Sequence, residues 1–248
     1  MQNRDDPGKA DRLSIFRKQD FNIRLNFRRA LPPQPCLLCG SLSRDGLCCA
    51  ACDHALPYLT ANRCPVCALP TPQGEVCGSC LRDSPYFDRT VAVLHYAFPA
   101  DRLIQAFKFQ AQLQLAHWLA GKLASRTAEL PDCIVPMPLH PARLRERGFN
   151  QSHELARHLA KHWQCPLLPH ACKRIRDTVP QSSLPWKERD RNLHKAFVCE
   201  TDFTGKHVAL VDDVMTTGAS LNELAQAVRR AGAQRISTYV VARTLPHS

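Results

Sequence analysis

The sequence lacks any apolar run long enough to cross a membrane. Its longest apolar stretches have the length of single strands, whereas a membrane-spanning helix needs about 20 mostly apolar residues. Residues 1–30 are charged throughout and have no hydrophobic core of the kind found in secretory signal peptides. These absences argue against insertion into a membrane and against export, so we expect a soluble cytoplasmic protein.

Aromatic residues and acidic charges are both in short supply. Only 7% of the residues are Phe, Trp or Tyr, which disfavours a surface built mainly to stack bases. Lys and Arg (33) outnumber Asp and Glu (22), and the surplus lies in residues 1–30 (eight basic, four acidic) and 141–195 (twelve basic, five acidic). Such charge attracts either a pyrophosphate or a nucleic acid, and charge alone does not separate these two partners.

Cysteine, by contrast, is abundant in one segment, where nine of the thirteen lie between Cys36 and Cys80. Two Cys-x-x-Cys pairs separated by nine residues form a unit, and the unit repeats after 28 residues; the paired residues are Cys36, Cys39, Cys49 and Cys52, then Cys64, Cys67, Cys77 and Cys80. Four thiolates complete a closed tetrahedral site, which predicts one structural Zn²⁺ per unit. Disulfides are disfavoured because they require an oxidising compartment.

Two alternatives within this zinc prediction stay open. Cys48 could replace Cys49 as a ligand, with a shifted register. Pairing of the motifs in sequence order is the simpler arrangement, but a cross-braced site that joins the first and third pairs is also compatible with the spacing. The scattered cysteines are expected to be small core residues; they are Cys133, Cys165, Cys172 and Cys199.

The composition changes near residue 85 and divides the chain into three predicted parts. Residues 1–30 form a basic, disordered extension, residues 31–84 a double zinc ribbon, and residues 85–248 an α/β domain. Strands and helices alternate in this last part, which predicts a parallel sheet flanked by helices. Predicted strands are 90–96, 133–136, 167–168, 208–211 and 236–242; predicted helices are one capped by Asp101, then 113–128, one through Leu155 and Leu159, and 221–231.

The segment from Val208 to Ser220 has the clearest functional pattern. Four apolar residues predict a buried strand, and that strand ends on Asp212 and Asp213, where the carboxyl ends of parallel strands form a ligand crevice. Paired carboxylates can accept hydrogen bonds from sugar hydroxyls, and small residues at a helix start can bind a phosphate through backbone N–H groups. The candidate ligands are Asp212, Asp213, Val214, Met215, Thr216, Thr217, Gly218, Ala219 and Ser220.

This segment resembles the 5-phosphoribosyl 1-pyrophosphate (PRPP) signature of type I phosphoribosyltransferases. The resemblance implies that Asp212 and Asp213 hold the ribose hydroxyls, that residues 216–220 hold the 5-phosphate, and that Mg²⁺ accompanies the pyrophosphate. It also implies a type I phosphoribosyltransferase fold.

The end of the strand at 133–136 predicts a second half of this site. Prolines stiffen the following loop, whose N–H groups can face an anion; its candidate residues are Pro138, Leu139 and His140. Three arginines follow and can bind phosphate oxygens of a departing pyrophosphate: Arg143, Arg145 and Arg147. Gly148 permits a hinge. Upstream, the residue types at 108 and 109 suggest a surface lysine beside a core aromatic.

A charged stretch with two prolines, between residues 174 and 197, predicts a flap over the site. Closure would expel water and bring cations to the pyrophosphate; the candidates are Lys187, Arg189 and Asn192. The same composition also suits a loop that holds a nucleic-acid backbone.

Together these motifs make the chain similar to the ComF family from Pro35 to Ser248. The further matches are Lys108-Phe109, Val135 to Leu139, Arg145-x-Arg147-Gly148-Phe149-Asn150-Gln151, Thr178-x-x-Gln181 and Arg189-x-x-Asn192. The resemblance implies a role in natural transformation or handling of imported single-stranded DNA. A DNA-uptake helicase is a candidate partner of the zinc ribbons if the protein is a non-catalytic binding module. The resemblance also implies displacement of pyrophosphate from PRPP, with an acceptor that it does not name. A PRPP sensor and a non-catalytic module that binds DNA or a partner are the alternatives.

Overall fold

The computed structural model describes residues 33–44, 46–175 and 196–246. In chain order its elements are β1 (Gln34–Pro35), β2 (Leu42–Ser43), α1 (Ala50–His54), α2 (Gly78–Arg82), β3 (Arg89–His95), α3 (Ala100–Phe109), α4 (Gln114–Ala124), β4 (Cys133–Pro136), α5 (Pro141–Arg147), α6 (Gln151–Trp163), β5 (Cys172–Arg174), β6 (Phe197–Cys199), β7 (His207–Met215), α7 (Ala219–Arg230) and β8 (Arg235–Arg243).

Four of the strands form a parallel sheet in the order β3-β8-β7-β4. Along β7, Val208 and Leu210 pack into one hydrophobic cluster while Ala209 and Val211 pack into another, because successive strand residues face opposite sides of a sheet. Helices α4 and α6 pack into the cluster that contains Ala209 and Val211, and α7 packs into the cluster that contains Val208 and Leu210. The sheet is therefore buried on both faces, as its near-continuous apolar strands require, and the predicted α/β fold class is confirmed.

The cysteine-rich segment packs directly onto this sheet and its helices. Cys36, Cys48 and Leu56 belong to the same hydrophobic cluster as the buried residues of α4. Further along, Thr90 of β3 donates a backbone hydrogen bond to the carbonyl of Pro65 at 3.1 Å. The domain boundaries near residues 31 and 85 stay predictions. Within the described ranges, no helix is both long enough and apolar enough to traverse a bilayer.

Several predicted elements differ from those observed. Residues 167–168 form no strand, because only Leu167 makes an isolated parallel bridge, to Ile134. Helix α3 begins one residue before Asp101, whose carboxylate accepts from the N–H of Arg102 and does not cap the helix. The segment of alternating arginines, for which the sequence predicts no helix, is the helix α5, which begins on Pro141 and is followed by Gly148 in the left-handed conformation (φ 80°). Proline suits the first helical position and glycine the position after the last.

Candidate functional site

A pocket of about 550 Å³ lies where β4 and β7 end at the carboxyl edge of the sheet. The two strands are neighbours in parallel register, with Pro136 opposite Val211, so Asp212 and Asp213, in the last part of β7, lie at the same edge as the residues that follow β4. The pocket is lined from β7 by Asp212 and Asp213, from α3 by Lys108 and from α5 by Arg143 and Arg147. The pocket therefore has acidic groups from β7 and basic groups from α3 and α5.

The two aspartates are held by partners from distant parts of the chain. Asp213 is 3% exposed, and its Oδ1 lies 3.0 Å from Lys108 Nζ. The Oδ1 of Asp212 accepts hydrogen bonds from Ser152 Oγ (2.8 Å) and from the N–H of Asp213 (2.9 Å). Among the described residues, no donor reaches Asp213 Oδ2, although that atom is buried. A buried carboxylate oxygen without a donor is costly, so this oxygen favours a ligand that supplies one.

Burial and mutual repulsion set the charge of this pair. Burial and the neighbouring charge of Asp213 raise the pKa of Asp212 to about 7, against the opposing influence of Lys108. Burial lowers the pKa of Lys108, but the charge of Asp213 outweighs that effect and raises it. Lys108 is therefore a fixed cation, and the carboxyl of Asp212 changes charge near neutral pH.

The segment after β7 forms a tight turn into α7. Gly218 has φ 89°, a backbone conformation that favours glycine, whereas the only close contact of a Cβ there would be the flexible end of the Met215 side chain. The hydroxyl of Thr217 accepts from the N–H of Ala219 at 3.2 Å. Thr216, Gly218 and Ser220 line the pocket together with Val214 and Met215, whereas Thr217 and Ala219 do not. The N-terminus of a twelve-residue helix therefore faces the pocket, which suits an anion.

The three arginines of α5 do not form one cluster. At 100° per residue, Arg143 and Arg147 share a helix face, while Arg145 lies on the opposite face. Arg143 and Arg147 line the pocket, and Arg145 is exposed outside it. Arg147 donates to Gln151 Oε1 at 2.6 Å. The pocket thus receives two guanidinium groups from this helix.

The loop between β4 and α5 contributes less than its sequence suggests. Leu139 lines the pocket together with Met137, whereas Pro138 is buried outside the lining. The Nδ1 atom of His140 accepts from the N–H of Ala142 at 3.4 Å and so serves as the N-cap of α5.

The expectation for residues 108 and 109 is wrong, because the burial of the two residues is reversed. The side chain of Lys108 is 20% exposed and points into the pocket, whereas Phe109 is 71% exposed with the Arg147 guanidinium 5.2 Å from its ring centroid. The spacing of the helix contained the signal, since Lys108 lies four residues after the buried Ile104. Ser152 had no comparable signal in the sequence.

The predicted flap residues lie outside the described residues. These are Lys187, Arg189 and Asn192, together with the matched positions 178 and 181. Residues 1–30 also lie outside them.

The eight cysteines converge in two groups of four, paired in sequence order: Cys36, Cys39, Cys49 and Cys52 form the first ribbon, and Cys64, Cys67, Cys77 and Cys80 form the second ribbon. Within each group the sulfur atoms lie within 4.8 Å of one another. Thiolates bound to one tetrahedral zinc ion at about 2.3 Å are about 3.8 Å apart. The Sγ atoms of Cys39 and Cys49 are 3.8 Å apart and those of Cys67 and Cys77 3.6 Å apart, so both groups fit a structural Zn²⁺.

Cys48 lies outside both groups. Burial raises the pKa of Cys48 to about 12, and the residue packs in the hydrophobic core.

Comparison with known proteins accounts for both parts of this architecture. Residues 27–81 match the double zinc ribbon domain family, and residues 149–245 match the phosphoribosyl transferase domain family. Competence protein F of Haemophilus influenzae is 39% identical over 67% of this chain and 78% of its own length. The DNA utilization protein YhgH of Escherichia coli is 37% identical over 86% of this chain and 98% of its own length.

The chain belongs to the ComF family. A more distant relative in the ComF family is competence protein ComFC of Bacillus subtilis, which is 28% identical over 84% of this chain and 95% of its own. The match to the phosphoribosyl transferase domain spans β7, the turn at Gly218, and α7. It begins at residue 149, so Lys108, Arg143 and Arg147 are pocket residues of this ComF chain that lie outside the matched range.

Proposed function

We propose that this ComF protein binds PRPP in the pocket at the end of β7. The observation that carries the proposal is the buried Oδ2 atom of Asp213, which no donor of the described residues reaches, beside Asp212 and close to a glycine turn that opens a helix. The vicinal hydroxyls of a ribose supply two donors to adjacent carboxylates, and the turn supplies N–H groups for a phosphate one sugar length away.

The basic groups of the pocket supply the third part of the ligand site. Arg143 and Arg147 line the same pocket as the acidic pair, and the pyrophosphate of PRPP would lie against them. Guanidinium groups bind phosphate oxygens two at a time. Mg²⁺ would be held by the pyrophosphate oxygens, because Mg²⁺ at phosphates retains water and takes few protein ligands.

We further propose that the protein transfers the phosphoribosyl group. An acceptor nucleophile forms a bond to the anomeric carbon, the bond from that carbon to the pyrophosphate oxygen breaks, and the pyrophosphate leaves with the electron pair. Arg143 and Arg147 stabilise the charge that develops on the leaving group. The relatives' names, which refer to competence and DNA utilization, support a role in the handling of imported DNA.

Isothermal titration tests the ligand assignment. PRPP with Mg²⁺ should bind, and ribose 5-phosphate should bind more weakly because it lacks the pyrophosphate. Replacement of ribose 5-phosphate by 2-deoxyribose 5-phosphate removes one donor to the aspartates and should weaken binding about tenfold. Absence of heat with PRPP, together with an unchanged melting temperature, would contradict the proposal.

A second measurement separates a transferase from a sensor. Release of pyrophosphate from PRPP should require an added acceptor, and single-stranded DNA and free bases are the first to test. Binding of PRPP without pyrophosphate release under any of these conditions supports a sensor. Binding of single-stranded DNA, if it occurs, should weaken steeply with salt.

A further inference from the structure

The second ribbon is connected to the phosphate-binding turn by one buried side chain. Arg243 is the last residue of β8 and lies opposite Met215 of β7 in the sheet register. It is 3% exposed, although a guanidinium is seldom buried without several partners. Its hydrogen bonds explain this burial, because its N–H groups donate to backbone carbonyls of the second ribbon and of the end of β7.

On one side, Arg243 holds the backbone at the start of the turn. Its Nη1 donates to the carbonyl of Met215 at 3.0 Å and also to the carbonyl of Thr216. In a trans peptide the C=O and the following N–H point in opposite directions. Arg243 therefore fixes the direction of the N–H groups of Thr216 and Thr217, which belong to the turn that faces the phosphate.

On the other side, Arg243 holds a zinc ligand. Its Nε donates to the carbonyl of Cys67 at 2.9 Å, and this bond is buried. A Zn²⁺ with four thiolates has a net negative charge, so the adjacent guanidinium also balances the charge of the second ribbon. The side chain is long and planar, and only its fork of donors can bridge both backbones at once.

The metal-binding turn of the second ribbon is itself held against the sheet. The hydroxyl of Thr90 donates to the carbonyl of Val66 at 2.5 Å and lies 2.8 Å from the hydroxyl of Thr238. The N–H of Ala68 donates to the carbonyl of Cys64 at 2.9 Å, and Ala68 is fully buried. The position of the Cys67 carbonyl thus depends both on the sheet and on the metal that Cys67 binds.

The first ribbon is anchored elsewhere. Its Asp53 accepts from Lys122 of α4 at 2.7 Å and from Tyr58 at 2.5 Å. Lys122 in turn lies 4.4 Å from the ring centroid of Trp118. Lys122 and Trp118 lie on α4, and neither α4 nor Tyr58 contributes to the pocket lining.

From this asymmetry we propose that Arg243 is a positioning residue through which the second ribbon holds the phosphate-binding turn in its ligand-binding conformation. Zinc in the second ribbon and PRPP in the pocket then strengthen each other's binding, whereas zinc in the first ribbon has no such effect. This inference rests on the proposed binding of PRPP. Because coupling is reciprocal, PRPP must raise the zinc affinity of the second ribbon by the same factor by which that zinc raises PRPP affinity.

Arg243→Lys in the full, zinc-loaded chain tests the bridge. Lysine keeps the charge but cannot donate along two directions from one plane, so PRPP binding should weaken about tenfold or more. Arg235→Lys, on the same strand but in an exposed pair with Glu129, is the matched control and should change PRPP affinity less than twofold. Equal PRPP affinity in the parent chain and a folded Arg243→Lys variant would overturn this inference but not the proposed binding of PRPP.

Zinc affinity supplies a second measurement, because PRPP would not change it if Arg243 only stabilised the fold. Equilibrium competition with a zinc chelator, with and without PRPP, should reveal one zinc ion whose affinity PRPP raises in the parent chain and not in Arg243→Lys. An identical competition curve with and without PRPP would overturn the proposal, and a parent chain that binds no PRPP would overturn both this inference and the proposed function.

Two variants of zinc ligands test the proposal if Arg243→Lys does not fold. Cys77 and Cys49 are half-buried equivalents, each the N-cap residue of the short helix in its ribbon. Cys77→Ser should weaken PRPP binding about tenfold more than Cys49→Ser. Equal effects of the two substitutions would contradict a specific role of the second ribbon.

Discussion

The ends of β7 and β4, which are neighbours in the sheet, line one pocket but are built in different ways. At the end of β7, buried side chains hold the backbone and the carboxylates: Lys108 pairs with Asp213, Ser152 donates to Asp212, and Arg243 donates to the turn. At the end of β4, a seven-residue helix presents Arg143 and Arg147 from its partly exposed surface. The groups at the end of β7 are fixed by contacts with the core, whereas the arginines after β4 lie on a partly exposed helix.

This difference indicates a division of roles. Recognition of a sugar by its hydroxyls requires acceptors at fixed positions, which buried partners provide. Neutralisation of a pyrophosphate depends on charge and tolerates adjustment, which long side chains at a surface provide. Substitutions at the end of β7 should therefore affect the fold as well as the ligand, and substitutions at the end of β4 mainly the ligand.

The largest effect is expected for Lys108→Met. This change leaves the buried Asp213 charge without its cation and should lower the free energy of unfolding by about 3–5 kcal/mol in chemical denaturation. Lys173→Met is the control, because Lys173 pairs with Glu200 at the surface with both side chains more than half exposed, and its loss should cost less than about 1 kcal/mol. Similar losses in both variants would contradict a rigidly built β7 end.

An intermediate effect is expected at the end of β4. When both Arg143 and Arg147 are replaced by Gln, PRPP binding should weaken about hundredfold or more without a lower melting temperature, since each charged hydrogen bond contributes about 1.5–3 kcal/mol. Arg145→Gln changes the same residue type on the opposite helix face and should leave affinity within twofold. Titration calorimetry measures both; a larger loss in Arg145→Gln would contradict the assignment of the facing arginines.

The smallest effect is a pH dependence specific to Asp212. Ribose hydroxyls favour the ionised carboxylate, so ligand binding should strengthen as pH rises through about 7, by up to about threefold to tenfold between pH 6 and 8. Without ligand the sign is opposite, because the folded chain holds this proton more tightly than the unfolded chain and loses stability as pH rises from about 4 to about 7.

Asp212→Asn isolates this contribution from the ionisation of the ligand's own phosphates. Calorimetry of the parent chain in buffers of different ionisation enthalpy should detect proton release that the variant lacks. Identical pH profiles in the two proteins would show that Asp212 does not cause the pH dependence of ligand binding.

The sequence made the end of β7 predictable because its information is local. Thirteen consecutive residues contain the strand, the two carboxylates and the glycine turn, and their roles follow from residue type and spacing. The paired cysteines were predictable for the same reason, since ligand spacing within each unit sets the geometry of a closed site.

The partners of these groups were not predictable in the same way. Arg243 reaches the β7 end only through the order of strands in the sheet, and Ser152 only through the packing of α6 against β7, and no local pattern specifies either. The sequence pattern did not predict the arginine helix, although Pro141 and Gly148 mark its two ends, because three arginines at alternate positions lack a helical period. A helical reading of residues 141–147 separates Arg145 from the other two.

The most direct test of the central claim is a crystal structure of the protein with PRPP and Mg²⁺ bound. We expect both ribose hydroxyls within hydrogen-bonding distance of Asp212 and Asp213, the 5-phosphate on the N–H groups of residues 216–220, and the pyrophosphate toward Arg143 and Arg147. A ligand bound in the reverse orientation, or bound outside this pocket, would contradict the account.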